Sequence, residues 1–327
     1  MGYVEVAAAS ILWALSGPFI RKLENEGLTS WDVVLGRAMF SAILLSIWVV
    51  SRNVYRKRRL SRHPDESTPE PILPGRENVG TFLALGFLAV VLAQSTYFYA
   101  LSQTSVAVAV TLNYTAPFFV MVISYFAYKQ PITRDKGISL LGALCGVALV
   151  SGFIGIGAKP VTGSFFGVFM GLLSGLAYGS QTLVYKRVGR RYGPIYLNLW
   201  MMAFGFLELS VLTTAVTGSI PAVFRKLAAG SPRVWSLLAL MGIGPGLMAF
   251  VLFADGINKV DASRGSIVAM CEPVAACLLG YFLLGETLTG SQVLGVALVI
   301  GSILGVSLPE SKERLPRQRS LDKTPRA

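Results

Sequence analysis

The sequence predicts an all-α integral membrane protein with ten transmembrane helices, arranged as two inverted repeats of five helices each. Three observations support this fold class. The chain of 327 residues is 53% hydrophobic and only 14% charged, whereas soluble domains carry about 25% charged residues. It contains repeated apolar runs of about 20 residues, the length that crosses a bilayer as a helix. Its second half also resembles its first half weakly but in order.

The apolar runs account for most of the chain and leave no room for a separate soluble domain. The first run begins without a basic segment before it, and we interpret it as a retained helix rather than a signal peptide. The ten predicted spans are 2–20, 31–50, 79–101, 106–129, 137–155, 163–187, 195–216, 232–257, 261–284 and 290–308.

Lysine and arginine residues are divided unevenly between the two sides of the predicted membrane. With the N-terminus in the cytoplasm, 22 of the 29 lie in cytoplasmic segments, six lie in outer segments, and Arg37 lies inside a helix. Because Lys and Arg collect on the cytoplasmic side, both termini, the loop 51–78 and the tail 309–327 are predicted to be cytoplasmic, at a cell inner membrane. The net charge of +12 thus reflects orientation, and no nucleic-acid partner is expected.

The two halves of the chain match each other at nearly constant spacing. At a shift of 164 residues Ser10 matches Ser174 and Lys22 matches Lys186, and at a shift of 156 Pro117 matches Pro273. Each half holds five predicted helices, an odd number, so the second half enters the membrane from the opposite side. Inverted repeats of this kind place a binding site near the middle of the membrane, between the halves, and allow alternating access.

One stretch of the second half resembles a known repeat. Glu272-Pro273, followed by Gly285-Glu286-Thr287-Leu288-Thr289, Gln292 and Gly295, is similar to the closing segment of an EamA repeat from the drug/metabolite transporter superfamily. The first half carries a copy without the acids, Ala116-Pro117 and Lys129-Gln130-Pro131-Ile132-Thr133. The resemblance implies two EamA-like repeats, 1–155 and 163–308, and a central cavity. It leaves the substrate open among amino acids, other metabolites, nucleotide sugars and amines.

Two charged residues inside the predicted helices are candidates for substrate binding. Glu272 lies near the middle of its span, where a carboxyl group is costly and by default functional; a hydrogen-bonded packing role is the alternative. Arg37 can hold a carboxylate through two parallel hydrogen bonds. The alternative for Arg37 is a structural ion pair with Glu208, because their helices are the second of each repeat.

Aromatic and amide side chains gather at a similar predicted depth and complete the candidate site. A ligand cavity needs a few polar groups on an apolar wall. For Trp13 and Tyr97 the alternative is the aromatic belt at the membrane surface, and for Tyr178 it is helix packing. The candidate substrate-binding residues, with the two charged ones, are Trp13, Arg37, Gln94, Tyr97, Asn113, Tyr114, Tyr178 and Glu272.

These features predict a secondary transporter that moves small polar metabolites, amino acids or similar compounds, with export as the favoured direction. The alternative is a transporter of organic cations or quaternary amines, held by Glu272 and an aromatic box. An intramembrane enzyme is not expected, because the single His63 lies in a loop. No cofactor, metal or disulfide is expected from Cys145, Cys271 and Cys277. Proton or sodium coupling is possible in principle, and the oligomeric state stays open.

Overall fold

The computed structural model describes residues 1–60, 74–155, 164–189, 191–284 and 287–307. Within these ranges the regular secondary structure is helical. Eight segments there are long and apolar enough to cross a membrane, and we number them by position along the chain: α1 (Gly2–Asn25), α2 (Ser30–Tyr55), α3 (Asn78–Gln103), α4 (Val106–Tyr128), α7 (Pro194–Thr217), α8 (Pro232–Lys259), α9 (Ala262–Phe282) and α10 (Gly290–Ser307).

Two further helices occupy the positions of the fifth and sixth predicted spans. They are α5 (Arg134–Val150), with 17 residues, and α6 (Phe165–Val188), with 24 residues. The first is short for a bilayer, and the second is rich in glycine and polar residues that lower its hydropathy. The described residues therefore contain eight candidate spans, and the count of ten stays a prediction.

Both edges of the predicted loop 51–78 are helical, and its residues 61–73 lie outside the described part of the chain. The helix of α2 continues without a break to Leu60, and the helix of α3 begins at Arg76. The segment after Val50 contains neither proline nor glycine, and it is rich in arginine and lysine, which favour helix in water. A hydrophobicity pattern marks where a helix leaves the apolar layer, but the backbone hydrogen bonds continue beyond it.

The helices pack in matched sets. α1 packs against α8 and α9, while α6 packs against α3 and α4. α2 packs against α7, and α5 packs against α10. Exchanging the first five helices for the last five maps this set of contacts onto itself, as a two-repeat architecture predicts. The inverted orientation of the repeats stays a prediction.

Glycine residues set the distance between α5 and α10. A Cβ atom on Gly146 would lie 2.8 Å from the carbonyl oxygen of Gly295, and a Cβ atom on Gly295 would lie 2.7 Å from the carbonyl oxygen of Gly146. Small residues of this kind let two helix backbones approach closely in a membrane. The contact between these last helices of each half thus depends on two hydrogen atoms where other residues have side chains.

Irregular helix geometry recurs at matching positions in the two halves. α3 contains a π-helical stretch at Phe87–Leu92, and α8 contains one at Gly242–Met248. The stretch in α8 contains Pro245 and three glycines, and the helix passes through them as a widened turn without a break. α4 is interrupted after Asn113, and α9 is interrupted after Val268. Interrupted helices expose backbone groups near the middle of a membrane, where transporters place binding sites.

Candidate functional site

A cavity of about 550 Å³ lies between the helices of the two halves. Its lining reaches the helix ends at Arg21, Thr287 and Gln292, and we call this side of the bundle the open end. Toward the opposite side the lining stops at Gln181 and Phe250. We call that side, which contains the start of α1 and the end of α8, the closed end.

All eight residues proposed from the sequence line this one cavity. They come from six helices, which places distant parts of the chain around a common space: Trp13 from α1, Arg37 from α2, Gln94 and Tyr97 from α3, Asn113 and Tyr114 from α4, Tyr178 from α6, and Glu272 from α9. Their roles in binding stay predictions, but their positions agree with a shared site.

Glu272 is the electrostatic centre of the cavity. It follows the interruption of α9, where the backbone N–H of Glu272 donates to the carbonyl of Ala269 at 3.2 Å. The hydroxyl of Tyr114 and the charge of Arg37 both act on the Glu272 carboxyl. Tyr97 and Tyr178 also lie within its electrostatic reach. A cationic ligand group that entered the cavity would thus meet one carboxylate surrounded by phenol hydroxyls.

Arg37 supplies the opposite charge, and its surroundings differ from the expected ion pair. The side chain is 8% exposed, and its guanidinium carbon lies 5.9 Å from the centroid of the Phe250 ring, within cation–π range. Its Nε atom has no hydrogen-bond partner among the described residues. In the part of the chain that the structure describes, no ion pair joins Arg37 to Glu208, although their helices, α2 and α7, pack together. Arg37 therefore keeps hydrogen-bonding capacity for a ligand.

Asn113 is held in place by α6. The hydroxyl of Ser174 lies 2.6 Å from the Oδ1 atom of Asn113 and 3.1 Å from the carbonyl oxygen of Ala93. Ser174 is fully buried. The sequence singled out Asn113 but gave no indication of this support, because Ser174 on α6 lies 61 residues after Asn113 and 81 residues after Ala93 in the chain.

An aromatic cluster seals the cavity toward the closed end. The Trp13 ring centroid lies 5.0 Å from that of Phe250 and 5.1 Å from that of Phe253. Tyr178 and Tyr185 contact the same Phe253 ring at 6.3 Å and 6.0 Å. Trp13 is only 7% exposed, so its alternative assignment to the membrane-surface belt is wrong. Phe250 and Phe253 were missed from the sequence, since phenylalanine in an apolar run carries no distinguishing signal.

Three buried donors around the cavity lack acceptors among the described residues. They are the Nε1 of Trp13, the Nε of Arg37 and the hydroxyl of Tyr178. A buried donor without a partner costs about 1–3 kcal/mol. A ligand that brings an acceptor group, such as a carboxylate, would relieve part of this cost. The arrangement can therefore hold a positive and a negative ligand group at once, beside an apolar and aromatic wall.

Sequence comparisons place this architecture among transporters. The chain matches the family model described as the EamA-like transporter family over residues 1–152 and 165–308. It is 31% identical to an uncharacterized transporter of Archaeoglobus fulgidus over 65% of this chain and 71% of that protein. It is 25% identical to the uncharacterized inner membrane transporter YicL of Salmonella typhimurium, over 96% of this chain and 97% of that protein.

A solved structure confirms that the fold is shared with another chain. It is described only as the crystal structure of a protein, and it superposes with a TM-score of 0.67 at 17% sequence identity. The superposition covers 94% of this chain and 98% of the other. At this identity the likeness establishes the fold alone.

Proposed function

The chain belongs to the EamA-like transporter family and is a multi-pass membrane transporter; from this premise we propose that it moves amino acids or similar zwitterionic metabolites as a secondary transporter. Export by alternating access, with a proton or sodium ion as the coupling ion, completes the proposal. The observation that carries it is the placement of one carboxylate and one guanidinium in a single cavity. A substrate with both an ammonium and a carboxylate group would satisfy both.

The charge balance of the cavity favours a zwitterion over a simple cation. Glu272 alone would suit an ammonium group, and the aromatic walls would add cation–π attraction. Arg37 lines the same cavity and would repel a cation unless the ligand also carried a negative group. The unpartnered donors at Trp13 and Tyr178 further favour a ligand with acceptor oxygens.

Alternating access is supported by the matched helix contacts of the two halves, 1–155 and 163–308. The cavity is lined by both halves, and the described residues that line it extend to the open end but not to the closed end. Rocking one half against the other would close this end and open the other, since packed interfaces have two discrete arrangements rather than a continuous range.

Binding of paired ligand analogues tests the substrate class. We expect zwitterionic amino acids of some side-chain type to raise the thermal midpoint of the purified protein, since ligands stabilise the state that binds them. The methyl ester of the same amino acid lacks the negative group, and the N-acetyl derivative lacks the positive one. We expect both to lose the shift.

The analogue set also distinguishes the alternative. A methyl ester that stabilises the protein as well as the free amino acid would identify an organic-cation transporter and contradict the zwitterion proposal. Absence of any shift across amino acids, with shifts from neutral metabolites, would contradict both substrate classes while leaving the family unchanged.

The orientation in the membrane is a separate part of the proposal. The bias of lysine and arginine assigns the closed end to the cytoplasm. A cysteine introduced at Arg52, in a background without the native cysteines, is expected to react in intact cells only with membrane-permeant reagents. Labelling of this position by an impermeant reagent would reverse the assignment, and a cysteine at Ser219, on the opposite side, provides the positive control.

A further inference from the structure

We propose that Lys186 and Lys22 act as alternating latches, meaning that each stabilises one of the two transport states by binding carbonyl groups at the end of a neighbouring helix. In this structure Lys186 fastens the closed end, and in the opposite state Lys22 fastens the open end in the same manner. The inference rests on the alternating access included in the proposed function, but it is independent of the substrate.

Lys186 joins the end of α6 to the end of α8. Its ammonium group donates to the carbonyl oxygens of Ile257 at 2.9 Å and Asn258 at 3.0 Å, and also to that of Val260. The last carbonyl groups of a helix have no partner within the helix and form the negative end of its dipole. A cation placed on them therefore makes charge-assisted hydrogen bonds, which are stronger than neutral ones.

The same end of the bundle is closed by direct backbone approach. A Cβ atom on Gly2, at the start of α1, would lie 3.0 Å from the carbonyl oxygen of Gly256 on α8. Lys186 thus holds α6 onto the helix that α1 also contacts, and the contact closes the path below the aromatic cluster of Trp13, Tyr178, Tyr185, Phe250 and Phe253.

Lys22 occupies the position in the first half that Lys186 occupies in the second. The two match at a shift of 164 residues, one near the end of α1 and the other near the end of α6. Lys22 lies at the open end and is exposed. No hydrogen bond joins it to another described residue of the chain.

The acceptor of Lys186 also has a counterpart in the first half. Val260 ends α8 in an extended conformation and precedes Asp261, which caps the next helix. Thr104 ends α3 in an extended conformation and precedes Ser105, which caps the next helix in the same way. At this shift of 156 residues the carbonyls that match the three acceptors of Lys186 belong to Leu101, Ser102 and Thr104.

The cavity separates Lys22 from these carbonyls in the present structure. Ile20 and Arg21, next to Lys22, line the cavity from α1, while Tyr97 and Phe98 line it from α3. Closing the open end would bring the end of α1 toward the end of α3. Lys186 is therefore bound to its carbonyl groups while Lys22 is separated from its own. Two exchanging states require such an alternation.

Access to Cys277 reports which end is open. Cys277 lines the cavity, and it lies about 7.5 Å further toward the open end than Glu272 at ~1.5 Å per residue. In a background with Cys145→Ala and Cys271→Ala, we would measure its rate of labelling by a hydrophilic thiol reagent in purified protein. Lys186→Met is expected to slow labelling, because the loss of a charge-assisted hydrogen bond shifts the two-state equilibrium about tenfold, which lowers an open fraction of one half about fivefold.

The double variant is the decisive measurement. Adding Lys22→Met to Lys186→Met weakens both states and is expected to restore the labelling rate to near the original value. A structural cap at either residue would not produce this recovery. Arg187→Met is the matched control, since Arg187 is the exposed neighbour of Lys186, and it should leave the rate unchanged.

Three outcomes would overturn the proposal. An unchanged rate in folded Lys186→Met protein would make Lys186 a static cap. A double variant whose Cys277 is labelled as slowly as in the single variant would show that Lys22 does not stabilise the opposite state. If Lys186→Met does not fold, a Lys22→Cys and Ser102→Cys pair, with Lys186 retained and the native cysteines replaced, must form a short crosslink during transport, and its absence would contradict the closing contact. Each failure leaves zwitterion binding intact, so it is distinguishable from failure of the substrate proposal.

Discussion

Replacing Glu272 by glutamine is expected to lower the affinity for a zwitterionic substrate by more than a hundredfold, or about 3 kcal/mol, because truncating one partner of a buried charge pair costs roughly 2–5 kcal/mol. The substitution keeps the size of the side chain and one acceptor oxygen, replaces the other oxygen with an amide N–H donor group, and removes the charge that faces Tyr114 and Arg37. Thermal shift and calorimetric titration of the purified variant would measure the loss.

Glu208→Gln is the matched control for this variant. Glu208 is also a partly buried carboxyl group on a membrane helix, with one oxygen unpartnered among the described residues, but it does not line the cavity. Its substitution should leave affinity within a factor of about two, since residues without a ligand contact contribute little directly. Equal losses for the two variants would indicate a general effect of membrane charge and contradict a specific role for Glu272.

Arg37→Gln completes the comparison. The variant should bind the free amino acid much more weakly than the parent protein does, and its affinity for the methyl ester should change little. Only the free amino acid carries the carboxylate that Arg37 would hold. If the affinity for both ligands falls equally, Arg37 supports the cavity through its contact with Phe250 and does not recognise the negative group.

Substitution of Gly146 by valine is expected to lower the stability of the bundle. The new Cβ atom would lie 2.7 Å from a methyl carbon of Val299, 2.8 Å from the carbonyl oxygen of Gly295 and 3.0 Å from the amide nitrogen of Val299. Two of these three neighbours are backbone atoms, so relief requires α5 and α10 to move apart. Overpacking of this kind costs about 1–3 kcal/mol and occasionally more, and it should appear as a lower thermal midpoint or as aggregation on size-exclusion chromatography.

Two glycines on the same helices provide controls for this prediction. Apart from the backbone of their own helix and their two chain neighbours, Cβ atoms on Gly137 of α5 and on Gly301 of α10 would meet no described atom within 4 Å. Gly137→Val and Gly301→Val introduce the same β-branched side chain without the clash, so both should remain close to the parent protein. A midpoint for Gly146→Val equal to those of the two controls would show that the close approach of the helices does not contribute to stability.

The sequence was sufficient to identify the eight candidate spans and eight of the residues that line the cavity. Continuous apolar runs identify helices in a membrane because the backbone has to satisfy its own hydrogen bonds there. Charged and amide groups are rare within such runs, so the few that occur, such as Arg37, Asn113 and Glu272, form a short list of site candidates. The three named here line the cavity, whereas Glu208 does not.

The sequence was insufficient where geometry depends on helix rotation or on backbone atoms. Arg37 and Glu208 lie on neighbouring helices, but contact between helices does not determine which way each side chain points. The three acceptors of Lys186 are the backbone carbonyl groups of Ile257, Asn258 and Val260. Every residue has such a group, so the sequence cannot indicate which of them accept a hydrogen bond. The extension of α2 to Leu60 was missed because hydropathy measures the surroundings of a helix rather than its length.

The two π-helical stretches determine which way the side chains that follow them on the same helix face around the helix axis. A π-helical turn closes a hydrogen bond to the fifth residue instead of the fourth, so it accommodates about one extra residue, and each residue of an α-helix corresponds to about 100° of rotation at 3.6 residues per turn. Gln94 and Tyr97 follow the stretch in α3, and Phe250 and Phe253 follow the stretch in α8. A relative with regular helices in their place would need a one-residue gap in each half of its alignment, at corresponding positions, before its own cavity-facing residues came into register with these four.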